Sequence, residues 1–126
     1  MNQRLTLLVA AVTVALAMVA CGDGEPAAER APIPVDADGA TMYQARCASC
    51  HGEDLRGTDK GPSQLSIVYE PGHHSDDAYR SAIRNGTRQH HWEFGDMPPV
   101  EDIADDEIEL VIAYIRSQQE TLGFEQ

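Results

Sequence analysis

The pentapeptide Cys47-Ala48-Ser49-Cys50-His51 constrains this chain more than any other stretch. Two thiols sit three positions apart and an imidazole follows at once. A redox dithiol, half of a zinc site and chance are the bland readings. A thioredoxin-like dithiol comes with βαβ patterning, which the sequence lacks. A zinc site needs a second pair of Cys or His ligands, and no second cysteine pair exists; the remaining cysteine is Cys21. What is left is the C-x-x-C-H attachment pattern of c-type haem. Its two thiols reach the two vinyl groups of one porphyrin, and the next residue sets an imidazole under the iron. Composition agrees. Two Phe, one Trp and four Tyr are little core material for a chain with long loops, and such a domain is marginal unless something fills its middle.

Upstream of the motif the chain divides into two further stretches. Residues 1–20 read as an export signal: Arg4 precedes a mostly apolar run from Leu5 to Ala20, shorter than the ~18 apolar residues of a spanning helix. Met18-Val19-Ala20-Cys21 resembles a lipobox, with Met18 where Leu is usual, which makes Cys21 a lipidation candidate. An uncleaved anchor with Cys21 as an ordinary residue is the alternative. Residues 21–37 are rich in Pro and acid without apolar periodicity, the composition of an extended linker. At ~3.1 Å per residue it spans roughly 50 Å. Residues 38–126 are then the folded unit. All of these readings place it outside the cytoplasm, in the periplasm or on the outer face of the cytoplasmic membrane.

Within that unit, Asp38 to Cys47 reads as a helix and Gly52 to Leu65 as a loop dense in Gly, Pro, Asp and Ser. Ser75 can cap a helix whose first turn holds Asp76 and Asp77 and whose end is Asn85-Gly86. Ala78, Tyr79, Ala82 and Ile83 share its face. Thr87 to Val100 is irregular. The last helix opens on Asp105, Asp106 and Glu107 and ends at Gly123, with Ile108, Val111, Ile112 and Ile115 in helical register. Nothing alternates in the manner of a strand. The expected fold class is all-α, three to five short helices around one covalently bound haem. Nine basic against 21 acidic residues give a formal charge of −12. That excludes nucleic acid as a partner and disfavours anionic lipid, while suiting a partner with a basic docking patch.

Taken together, residues 38–126 resemble a class I monohaem cytochrome c. The helix leading into C-x-x-C-H, the stretch Gly61-Pro62-x-x-Leu65 and the segment Gly95-Asp96-Met97-Pro98-Pro99 carry the resemblance. It implies that His51 and Met97 are the axial ligands of the iron. It also implies that the Pro62 carbonyl accepts a hydrogen bond from the His51 ring, and that the first and last helices cross. Tyr43 or Met42 would then meet Tyr114, Leu110 or Val111. A packed core methionine is the bland reading of Met97. Pro98-Pro99 argues against it, because they place Met97 on a stiff loop. Ala104 stands where the family often has Ser before the last helix, so Asp102 or Asp105 must cap it, or nothing does.

His73-His74 and His90-His91-Trp92 are outside this pattern. Four readings stay open: contacts of His90, His91 and Trp92 with the haem propionates, a second metal site holding copper or zinc, replacement of Met97 at the iron, and solvated loop residues. The resemblance implies an electron carrier and not an enzyme. It would serve a membrane oxidase, reductase or dehydrogenase of an exported or membrane-bound respiratory chain. A haem-based gas sensor, which needs a labile distal position, and an electron-entry subunit of one dehydrogenase are the alternatives.

Overall fold

The computed structural model describes residues 37–126. The signal at 1–20, Cys21 and all of the linker except Ala37 lie outside the described residues. Four α-helices follow in order: α1 (Gly39–Arg46), α2 (Ala48–His51), α3 (Asp76–Asn85) and α4 (Asp105–Leu122), with a single 3-10 turn at Ile67–Tyr69. Among the described residues only two isolated bridges, Ser66 with Glu125 and Thr87 with Met97, have strand character. No described helix is long and apolar enough to cross a membrane.

α1, α3 and α4 begin where a nearby side chain takes up a backbone amide at the helix start. Asp38 caps α1 by accepting from the Thr41 amide at 2.9 Å, and Ser75 caps α3 by accepting from Ala78. At α4 the last of the three expected alternatives holds, with no side-chain cap. Ala104 is the cap residue, and neither Asp102 nor Asp105 caps it. Glu107 reaches back instead, accepting from the Ala104 amide at 2.7 Å, the half of a capping box that needs no hydroxyl at the cap position. The first helix also stops one residue earlier than read. Cys47 is its C-cap, and the haem motif winds into the separate one-turn helix α2.

The core is built where α1 and α4 cross and where α3 meets α4. Met42, Tyr43, Leu65, Ile108 and Val111 are essentially inaccessible, with Leu55, Tyr79, Ile83, Ile112 and Ile115 close behind. Tyr43 meets Tyr114 across the crossing, ring centroids 5.5 Å apart. Leu110, a candidate for the same contact, turns its side chain outward, and its backbone is what α1 touches. A side-chain carbon at Gly39 would stand 2.2 Å from the Leu110 carbonyl oxygen, so the crossing is only as close as a residue without a side chain allows. Arg46 ties the end of α1 to the Glu101 and Asp102 carbonyls. Arg116, largely buried, donates to the Tyr69 and His74 carbonyls and to Asp76, fixing the 69–76 segment on α4.

A candidate haem site

Inside this frame lies an open cavity of about 300 Å3, and Tyr43, Cys47, His51, Tyr79, Ile83 and Met97 are among the residues on its wall. It occupies the place where the aromatic-poor sequence predicts a missing core. α2 brings the motif to it. Cys47 and Cys50 form no disulfide, and burial pushes the Cys47 thiol up to about 11. Tyr43 holds the end of the motif, its hydroxyl donating to the Gly52 carbonyl at 2.9 Å and to the His51 carbonyl at 3.2 Å.

His51 stands between two polar groups. Its Nδ1 lies 2.9 Å from the Pro62 carbonyl oxygen. A carbonyl only accepts, so Nδ1 carries the hydrogen and Nε2 keeps the lone pair. Burial holds the ring below the ordinary histidine range, and the Pro62 bond pulls the other way. The neutral ring is the form that ligates metal. The Gln64 amide reaches the same Nδ1, at 2.9 Å. As placed it turns nitrogen to nitrogen, while its oxygen accepts from the Tyr79 hydroxyl at 2.8 Å. A half-turn of the amide exchanges O for N and removes the clash of two donors, with Oε1 then facing Nδ1–H.

Gln64 and Gln119 are the two buried polar residues of the described chain. Gln119 donates to the Gln64 carbonyl at 2.7 Å and accepts from Arg116. A polar network thus runs from Arg116 through Gln119 and Gln64 to His51. Sequence reading passed over both glutamines. For Gln119 a signal existed: it lies four residues past Ile115 on the buried stripe of α4, where a polar side chain needs a partner.

Met97 approaches from the other segment on the cavity wall. Thr87 and Met97 exchange both backbone hydrogen bonds at 2.9 Å, closing the loop 88–96. Gly86 makes that closure possible. Its φ is +71°, and a side-chain carbon there would lie 2.5 Å from the Met97 carbonyl oxygen. The Val100 amide donates to the Ile83 carbonyl and fastens the segment to α3. Inside the loop, Asp96 Oδ1 accepts from the Gln89 amide and Gln89 Oε1 accepts from the Gly95 amide. Trp92 lies on Tyr69 with ring centroids 5.7 Å apart. It also borders a smaller cavity of about 70 Å3 shared with His51, Pro62 and Met97.

The four histidines outside the motif converge. His73 and His74 come from the turn before α3, His90 and His91 from the 88–96 loop, and their rings meet edge and face. His74 and His90 also reach the wall of the large cavity.

An all-helical wrap, a C-x-x-C-H helix opening on an internal cavity, and an imidazole braced by a proline carbonyl define a c-type cytochrome. The cytochrome c family profile matches residues 37–119, and the chain belongs to that family. It is similar to cytochrome c-551 of Bacillus subtilis (strain 168), 27% identical over 118 residues that cover 90% of this chain and 94% of the relative. Membership makes the protein a haem-based electron carrier and implies haem c as its cofactor. The donor set fits that group: two thiols, a neutral imidazole with its Nε2 lone pair available and a thioether, on or beside one cavity.

Proposed function

We propose that the protein carries single electrons through one haem c, attached by Cys47 and Cys50 and ligated axially by His51 and Met97. The observation that carries this reading is His51 itself. Its Nδ1–H is committed to Pro62 at 2.9 Å, leaving Nε2 to bind iron, and it shares one cavity wall with Met97. When bound, the cofactor supplies a reversible one-electron couple. The chain's residues do the rest. Pro62 and Gln64 fix the ring and adjust its basicity. The Thr87–Met97 bridge presents a soft thioether, a ligand that raises the potential. With His51 and Met97 both holding the iron, no position would remain there for a substrate, which would suit a carrier.

Residues 1–20 act as the export signal, Cys21 as the lipid attachment point and residues 21–37 as the tether, placing the 38–126 domain at the outer face of the cytoplasmic membrane or in the periplasm. Its partners there are redox proteins of a respiratory chain, and the acidic surface suits a basic docking patch on them. The test is exposure of the reduced holoprotein to carbon monoxide. The wild type stays spectrally unchanged, and Met97→Ala binds the gas. Rapid binding by the wild type overturns the closed site and brings the gas-sensor reading forward.

A further inference from the structure

We propose that His73, His74 and His91, with His90 beside them, form a second metal site, separate from the haem, that takes a tetrahedral first-row ion, Zn2+ in the first place. The argument starts from protons. His74 Nδ1 lies 2.8 Å from the Val68 carbonyl, and His90 Nδ1 lies 2.7 Å from the Arg88 carbonyl. Both carbonyls accept, so both Nδ1 atoms carry hydrogens. In a neutral imidazole the other nitrogen is then a bare lone pair. Yet His74 Nε2 and His90 Nε2 face each other at 3.4 Å. Two lone pairs do not hold such an approach; a cation between them does.

A second pair lies beside the first, and it shares a cluster with His74. His73 Nε2 and His91 Nε2 are 3.2 Å apart, and the ligand atoms of His73, His74 and His91 all lie within 4.8 Å of one another. A proton bridges two nitrogens; it does not serve three. With metal–nitrogen bonds of about 2.0–2.1 Å, a tetrahedral ion spaces its nitrogens about 3.3–3.4 Å apart. The separations of 3.2 and 3.4 Å lie near that edge. His73, His74 and His91 supply three ligands, the number that leaves a fourth position for water, and His90 stands beside them in contact with His74. The supporting groups are also those of a metal site. A ligating histidine ordinarily gives its other N–H to a carbonyl or carboxylate, as His74 and His90 do here.

The geometry speaks against a purely anionic occupant. A carboxylate such as a haem propionate needs donors, and the inward nitrogens of His74 and His90 are acceptors. Oxygen-seeking ions such as Mg2+ and Ca2+ do not suit an all-imidazole set. The scaffold is firm on one side. Arg116 donates to the His74 carbonyl at 2.6 Å and to Asp76 at 2.8 Å, pinning that turn to α4. The other pair hangs on the loop that carries Met97, so the ion would clip the 88–96 loop to the turn before α3.

The experiment is zinc uptake by the haem-loaded protein, dialysed against Zn2+ and counted per chain by mass spectrometry of the metal, with zinc-edge X-ray absorption on the loaded sample. The expected result is about one zinc ion per chain in a shell of imidazole nitrogens. His73→Ala with His91→Ala, two exposed positions off the wall of the large cavity, should lower the affinity at least about 100-fold, more than loss of an outer-shell partner costs. Haem absorption should stay unchanged in His73→Ala alone, an exposed position on the wall of neither cavity. No uptake, uptake unchanged in the double variant, or a shell of sulfur or carboxylate oxygen would each overturn the site. The absorption measurement needs only the wild type, so it decides the matter even if the variant fails to fold.

Discussion

Pro62 was legible as a partner of His51 because the G-P stretch follows the haem motif at a recognisable place. Gln64 was not, because nothing in Gly61-Pro62-Ser63-Gln64-Leu65 says that its amide turns inward. Only the fold brings it within 2.9 Å of His51 Nδ1. An acceptor at that hydrogen makes the ring a stronger electron donor and favours the oxidised iron. Gln64→Leu should therefore raise the reduction potential and Gln64→Glu should lower it. A differential hydrogen bond of about 1 kcal/mol corresponds to roughly 40 mV for one electron. A spectroelectrochemical titration checks the pair, and equal shifts of the same sign would remove Gln64 from the tuning of His51. The four loop histidines were visible as two doublets. Their convergence was not, since it depends on the turn before α3 and the 88–96 loop folding onto each other.

At the scale of elements, the helices were readable because their signals are local. Ile108, Val111, Ile112 and Ile115 lie on the buried face, and Ser75 and Gly86 bound α3. The sequence left three devices open for the start of α4, Asp102, Asp105 or no side-chain cap, and the third holds at Ala104. The contact made there comes from Glu107 inside the helix. The 3-10 turn at Ile67–Tyr69 and the Thr87–Met97 bridge are set by tertiary contacts, which periodicity does not record. The α1–α4 crossing rests on Gly39, where a side-chain carbon would collide with the α4 backbone at Leu110. Gly39→Ala gains helix propensity yet forces the helices apart. It should destabilise the holoprotein by about 1–3 kcal/mol. Denaturant unfolding followed by far-UV circular dichroism checks this. An unchanged or higher midpoint would mean that the crossing has slack.

The whole molecule carries 21 acidic and nine basic residues, but part of the acidic run at 101–109 is used internally. Glu107 caps α4, Glu109 pairs with Arg80, and Asp105 pairs with Arg84 at 2.6 Å. Such exposed pairs add little stability; they do hold α3 against α4 on the outer side. The excess negative charge still sets a long-range field. Electron exchange should run faster with hexaammineruthenium, a cation, than with ferricyanide after allowance for driving force. The gap should close as ionic strength rises past about 0.1 M, where the screening length is about 10 Å. Stopped-flow rates at several salt concentrations measure this. Rates independent of reagent charge would mean that the exposed haem edge lies away from the acidic surface.

Ligation of the iron by Met97 is the claim on which the carrier function turns, and iron-edge X-ray absorption of the oxidised holoprotein reads it most directly. One sulfur atom in the iron's coordination shell, absent in Met97→Leu, is the predicted result. A shell of nitrogen alone in the wild type would contradict it and would place a histidine, His74 or His90 from the cavity wall, where Met97 is expected.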